Sequence, residues 1–226
     1  MFNEISKKLF GPHGYQGENW TMTVAERFAL AGILSHREPR ISIEIGTLNG
    51  GSLSIISKYS EKVYSIDPNP EVKDNLRKKF ENVEFITGFS QKVLPNLINE
   101  LNKKEEAVGF VLVDGDHTEE GVRKDIEEVL NYIPMGPLWI LMHDSFNPDC
   151  RQGIKAVDWE SNRYVQWIDF DFIPGFLSSI PGWEDQMWCG FALAYMEEKG
   201  REGELKYDEL LGRQFDQVFP ISSHAK

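Results

Sequence analysis

Between residues 41 and 144 the chain alternates short apolar runs, rich in β-branched residues, with longer amphipathic stretches. That alternation limits the available folds more than any other feature. Strand-like runs fall at 41–45, 63–66, 83–86, 108–113 and 138–142, each separated from the next by a turn and a helical stretch. Parallel strands need crossovers of that length, so the pattern predicts an α/β, doubly wound, mostly parallel, Rossmann-like sheet flanked by helices. Thr23-Val24-Ala25-Glu26 has the spacing of a capping box and predicts a helix to about His36, with Val24, Phe28 and Leu34 among its apolar positions. A helix over 119–130 places Val122, Ile126, Val129 and Leu130 on one face. After Asp144 the rhythm changes. Residues 164–173 and 187–195 read as strands joined by a Pro/Gly-rich loop, with no helix of crossover length, which predicts an antiparallel closing pair at the sheet's edge. The expected domain is 1–198, with 199–226 a charged tail.

Charge narrows the partners. Lys and Arg number 24 against 36 Asp and Glu among 226 residues, a net charge of -12. The basic clusters Lys7-Lys8, Arg77-Lys78-Lys79 and Lys103-Lys104 are short and scattered, so no stripe is available to follow a phosphate backbone. Cys150 and Cys189 are too few for a disulfide framework, and their spacing suits no zinc site. With neither a signal-like start nor an apolar run of membrane length, the expectation is a soluble, cytoplasmic protein that binds neither nucleic acid nor membrane.

The first strand ends in Glu44-Ile45-Gly46-Thr47-Leu48-Asn49-Gly50-Gly51-Ser52. In a doubly wound sheet ligands bind beside this first βα turn, where glycines admit close backbone approach and a helix begins. The spacing is acid-x-G-x-x-x-G, not the dinucleotide G-x-G-x-x-G. A carboxylate at Glu44, expected inside the pocket, suits a cationic amine and is poorly placed for a pyrophosphate. Asp67 ends the second strand, where a carboxylate can accept from ribose hydroxyls. Gly88-Phe89-Ser90 ends the third strand and could flank an adenine, while Asp114-Gly115-Asp116-His117 forms a dense polar set after the fourth. The aromatic residues Phe176 and Trp183 fall in the Pro/Gly loop and are candidates for a substrate wall.

This ordered series resembles a class I S-adenosylmethionine-dependent methyltransferase over roughly residues 21–144. The stretch from Asp114 to Asp125 and the lead-in from Trp20 to Glu26 are similar to a subgroup near macrocin and catechol O-methyltransferases, with relatives near cephalosporin hydroxylase. The resemblance implies that Glu44, Gly46, Thr47, Asn49, Gly50 and Ser52 hold the methionine end of S-adenosylmethionine, that Asp67 holds the ribose, and that Phe89, Ser90 and Asp114 lie along the cofactor. It implies a small-molecule acceptor, a sugar hydroxyl or a phenol, with Asp114, His117 and Asp144 as catalytic groups. Two deprotonation schemes stay open: His117 as general base, or a divalent ion such as magnesium held by Asp114 and Asp144. In the resembling enzymes an acidic or amide pair follows strand five; here it reads His143-Asp144-Ser145, so the second oxygen ligand is missing or replaced. A nicotinamide-dependent oxidoreductase and a non-catalytic cofactor-binding subunit are the other function classes, and self-association into a homo-oligomer is left open. Retention on DNA or RNA, measured by filter binding, should be weak and should vanish between 50 and 200 mM salt, roughly the range over which phosphate contacts are screened out; salt-resistant submicromolar binding would contradict the charge argument.

Overall fold

The computed structural model describes residues 21–208 and 213–225. The alternation becomes α1 (Val24–Arg37), β1 (Ile41–Ile45), α2 (Gly51–Tyr59), β2 (Lys62–Asp67), α3 (Pro70–Leu76), β3 (Val83–Thr87), α4 (Ser90–Lys103), β4 (Val108–Val113), α5 (Glu119–Val129) and β5 (Leu138–His143). Then follow α6 (Pro148–Lys155), β6 (Val165–Ile173), β7 (Phe176–Leu177), β8 (Met187–Trp188), β9 (Phe191–Met196), β10 (Lys206–Asp208) and α7 (Arg213–Val218). Eight strands form one sheet in the order β10-β6-β9-β5-β4-β1-β2-β3. All pairs are parallel except β5–β9 and β6–β9. The doubly wound, mostly parallel architecture is therefore as the alternation predicts.

Two apolar layers sandwich the sheet. Leu30 and Leu34 of α1, Leu53 and Ile56 of α2 and Leu76 of α3 pack on one face. Leu94 and Ile98 of α4, Val122 and Ile126 of α5 and Ile154 of α6 pack on the other. The Thr23 capping box forms as the spacing predicts, Thr23 Oγ1 accepting from the Glu26 amide and Glu26 Oε2 accepting from the Thr23 amide at 2.5 Å. Within α1 the buried stripe is Leu30 and Leu34, while Phe28 is exposed.

Past Asp144 the structure departs from the sequence reading in two places, the run of the strand expected over 187–195 and the reach of the sheet past residue 198. A helix that the sequence reading does not name, α6, follows β5. Asn147 caps it, its Oδ1 accepting from the amides of Asp149 and Cys150, and Pro148 takes the first helical position. The expected antiparallel pair forms, β6 with β9, at the β5 side of the parallel strands, with β9 between β5 and β6. The strand expected over 187–195 is broken at Cys189 and Gly190, both at positive φ, whose amides leave the ladder to bond Asp144 Oδ1 and Glu26 Oε1. Met187–Trp188 instead forms a small hairpin with Phe176–Leu177. Finally, β10 pairs parallel with β6 beyond residue 198, with Leu205 buried beside it. The sheet thus draws on the stretch expected to be tail.

Strand alternation also settles Glu44. Ile41, Ile43 and Ile45 face the layer of α4, α5 and α6, so Glu44 points to the opposite face, under α2. There it is fully buried, with Ser52 Oγ donating to Oε1 at 2.6 Å and Ser65 Oγ to Oε2 at 3.2 Å. Burial, reinforced by the Asp114 charge, pushes its carboxyl up to about 8 against the pull of the two serines. With the folded value above the ordinary 4.5, the native state binds the extra proton in between, and stability from this group falls as pH rises from 4.5 towards about 8. Glu44→Gln cannot titrate. Its stability relative to the parent, read from urea unfolding, should increase from pH 5 to pH 8.5 (roughly the two ends of that window), and a relative loss over that interval would contradict a protonated Glu44.

Candidate active site

The order of strands reverses between β1 and β4, and a cavity of about 830 Å³ opens outside their carboxyl ends. That volume lies in the upper part of the range for small-molecule sites. Two hydrogen bonds tie together the strand ends that line it: the Gly46 amide donates to the Ile66 carbonyl and the Asp114 amide to the Ile45 carbonyl.

One wall is backbone. Gly46 has φ 87°, and any Cβ there would collide with the Asp114 carbonyl oxygen, so only glycine lets the turn pass across β4. Leu48 at the tip also has positive φ and is exposed at the mouth. Asp67 staples the turn: its Oδ2 accepts from the amides of Thr47 and Leu48 at 3.1 and 3.0 Å, and its Oδ1 from the Asn69 amide at 2.8 Å. Of the turn residues expected to contact a cofactor, Gly46, Thr47, Asn49 and Ser52 line the cavity, together with Asp67, Phe89 and Ser90. Glu44 and Gly50 are corrections. Glu44 braces the turn from beneath through Ser52, and Gly50, at φ 76°, packs towards Leu76 and Phe80. Gln91, which the sequence reading missed, also lines the cavity and donates to Asp125 Oδ1 at 3.0 Å.

The opposite wall is charged. Asp114, His117 and Asp144, expected as catalytic groups, meet there as two strand ends converge. His117 Nε2 lies 3.2 Å from Asp144 Oδ2 and 3.7 Å from Asp114 Oδ1. His143 joins them, its Nδ1 at 2.8 Å from Asp114 Oδ1 and 3.3 Å from Asp144 Oδ2. Behind His143, Glu26 Oε1 is 3.1 Å from Nε2. Glu26 carries no sequence signal of a site role beyond its capping box; only the packing of α1 against β5 reveals it.

The titration shifts follow from these contacts. Hydrogen bonding to Asp114 and then Asp144 raises His117 to about 10. Burial opposes a charge on His143, yet Asp114 and Asp144 hold it well above the ordinary imidazole value. Burial likewise opposes ionisation of Asp144, but the two imidazoles keep it below the ordinary carboxylate value. Glu26 is lowered too, the His143 contact and the Thr23 bonds outweighing its burial.

The residues fit an S-adenosylmethionine-sized ligand on the glycine wall, where the Cβ-free passage at Gly46 brings backbone to the cavity. They do not fit the all-oxygen magnesium site implied by Asp114 and Asp144. Magnesium takes oxygen donors in a near-octahedral shell, and here an imidazole nitrogen stands between the two carboxylates. Above the charged wall the β7–β8 hairpin brings Phe176, Trp183 and Trp188 over the cavity, with Trp183 and Trp188 ring centroids 5.4 Å apart.

Residues 43–145 match a family model described as a methyltransferase domain. No curated protein sequence matches the chain. Among solved structures, the chain is similar to an O-methyltransferase from Bacillus cereus in complex with SAH, at 14% identity and TM-score 0.58, covering 86% of this chain and 90% of that one. It is also similar to the O-methyltransferase TomG from Streptomyces achromogenes, involved in tomaymycin synthesis and solved with SAM, at 12% identity and TM-score 0.59, covering 87% and 97%. At such identities these likenesses speak for the fold. Residues 43–145 thus match a methyltransferase-domain model, and the chain has the fold of these O-methyltransferase structures.

Proposed function

We propose that the protein transfers a methyl group from S-adenosylmethionine to a hydroxyl of a small, largely apolar molecule, with a phenol favoured over a sugar. The observation that carries this is the pairing of two unlike walls in one cavity. The glycine turn and Asp67 face a charged cluster capped by aromatic rings. Bound on the glycine wall, S-adenosylmethionine supplies a methyl group on a positively charged sulfur. Asp67 has about one of its four lone-pair positions left after three backbone bonds, enough to take a ribose hydroxyl. Phe89 and Ser90 offer an apolar face and a helix start beside the adenine. Phe176, Trp183 and Trp188 hold the acceptor and exclude water.

In the transfer the methyl carbon leaves sulfur, whose bonding pair stays behind, and bonds to the acceptor oxygen, whose proton passes to the charged cluster. Asp114 is the acceptor facing the cavity, while His117, 3.2 Å from Asp144 Oδ2 and 3.7 Å from Asp114 Oδ1, keeps the charge of both in place. The chain's net charge of -12 supports a small-molecule acceptor over a nucleic acid.

Calorimetry with S-adenosylmethionine, then methyl transfer to a panel of phenols and sugars, tests the reading; NADH binding more tightly than S-adenosylmethionine would overturn it. Asp67→Ala removes the ribose partner and the staple of the turn, and should weaken S-adenosylmethionine binding about 10–100-fold. Unchanged affinity would exclude the ribose role. His117→Ala and Asp144→Asn should each lower turnover by about 10²–10⁴-fold while leaving the cofactor dissociation constant within about threefold of the parent. Loss of cofactor affinity in step with turnover would place these groups on the wrong wall.

A further inference from the structure

The aromatic roof is the least self-supporting part of the site. Its strands, Phe176–Leu177 and Met187–Trp188, have two residues each, and a hairpin that short is marginal without packing from elsewhere. Between them Ile180 and Trp183 line the cavity while 55% and 51% exposed. The Asp185 amide donates to the Ser178 carbonyl and the Gln186 amide to the Trp183 carbonyl, bonds that shape the loop from within. Among the described residues, the hydrogen bonds that tie residues 179–185 to chain outside the hairpin both come from Ser223. Its amide donates to the Asp185 carbonyl at 2.7 Å and its hydroxyl to the same oxygen at 3.1 Å.

Ser223 belongs to the short helical turns after α7, Phe219–Ile221 and Ser223–Ala225. The other end of the same segment grips the base of the hairpin. The Phe215 ring of α7 meets Phe146 edge-on, centroids 5.7 Å apart, and stacks with Phe219 at 5.6 Å. Phe146 is buried, its amide donates to the Cys189 carbonyl, and its Cβ fills the space that a side chain at Gly175 would need. Gly175 and Cys189 are the residues that flank the two hairpin strands. The Phe215 ring also lies 4.4 Å from the Arg151 guanidinium. Arg151 is itself fixed, forked onto both oxygens of Asp171 at 2.9 Å and donating to the Ser145 carbonyl at 3.3 Å. A buried cation already locked by a carboxylate is a rigid platform for a ring.

We propose that the segment from Phe215 to Ser223 is a strap that fixes the aromatic roof at two points, and that Phe215 and Ser223 are positioning residues for the methyl acceptor. The proposal rests on the reading that the roof holds the acceptor. Phe215 acts through Phe146 at the base of the hairpin, and Ser223 through Asp185 in its loop. Neither lines the cavity or touches the glycine wall, so the strap sets how tightly the acceptor is held and leaves S-adenosylmethionine binding alone. With both points fixed, Trp183 and Trp188 are presented in one arrangement, and an acceptor is spared the cost of ordering them as it binds.

Amide hydrogen exchange of the full chain, free of ligands, tests the strap. Phe215→Ala removes the ring. Ser223→Pro removes the amide donor, and Ser222, at φ -79° and ψ 163°, already has the backbone that a residue before proline favours. Each variant should speed exchange at the Asp185 and Gln186 amides about 10-fold while Thr47 and Leu48 keep the parent rate. Phe215→Tyr keeps the ring and should restore slow exchange. Binding of 2-naphthol, a neutral aromatic hydroxyl compound, to protein loaded with S-adenosylhomocysteine can be read from its fluorescence. It should weaken about 10-fold in the same two variants, with the S-adenosylmethionine dissociation constant within about threefold of the parent. In methyl transfer the same loss appears as a raised KM for the acceptor at near-parent kcat. Unchanged exchange in both variants would overturn the strap. Faster exchange with unchanged 2-naphthol binding, or with an equal loss of cofactor affinity, would overturn the positioning role. A parent that binds no 2-naphthol counts against the phenol reading and not against the strap, which the exchange rates decide alone.

Discussion

His143 sits where a neutral core residue would be expected, at the end of a central strand, and it contacts three carboxylates. A buried charge without a partner costs several kcal/mol, so each acid around it must be held by something. The surrounding elements meet that need in turn. Asp144 takes the Cys189 amide at 2.6 Å, and Glu26 takes the amides of Gly190 and Thr23. The start of α1, the end of β5 and the break before β9 are thereby fixed to one another through side chains that also face the cavity or its floor.

The backbone registers the same demand. Asp144 and Cys189 both have positive φ, at 55° and 64°, a conformation that costs residues with a side chain of order 1–3 kcal/mol. The turn at Asp144 aims its carboxylate back towards His117, and the turn at Cys189 directs an amide to that carboxylate. The same break lifts Met187 and Trp188 out of the central sheet into the small hairpin over the cavity. Gly175 completes the fold-over, since a Cβ there would strike the Trp188 carbonyl. Beyond it, the Ser223 amide donates to the Asp185 carbonyl at 2.7 Å, so the last described helical turns lean on the hairpin's loop.

Much of this was legible in the residues. Alternating apolar runs and crossovers specify the parallel half of the sheet, because period and length there are local properties. Gly46, Asp67, Ser90 and Asp114 stand out because each lies at or just past the end of a strand, and strand ends converge on the crevice whatever the details of packing. Glu44 was misread for a local reason as well: its place before the glycine suggests the pocket, but strand alternation turns it under α2. Asn147-Pro148 is a helix-start signal that the surrounding loop-like composition masked. Glu26 could not be found from the sequence, because its capping-box role explains it fully; its contact with His143 depends on how α1 lies against β5, which no short-range pattern encodes. The insertion of β9 between β5 and β6 is likewise a matter of strand pairing across the sheet, not of any segment's own preference.

The two walls differ in kind, and that difference limits how each can change. The glycine wall is made of backbone, positioned by Asp67 and by the protonated Glu44 beneath it, so its shape depends on hydrogen bonds that few side chains supply. The charged wall is made of side chains whose partners are one another. A substitution at Asp67 loosens a turn while leaving Asp114, His143 and Asp144 paired. A substitution at Asp144 strands two imidazoles and frees the Cys189 amide that shapes the hairpin, so its effect spreads to the aromatic roof. Changes in what the cavity accepts are therefore most readily made at Phe176, Trp183 and the exposed Ile180, which line it without belonging to either network of buried charge.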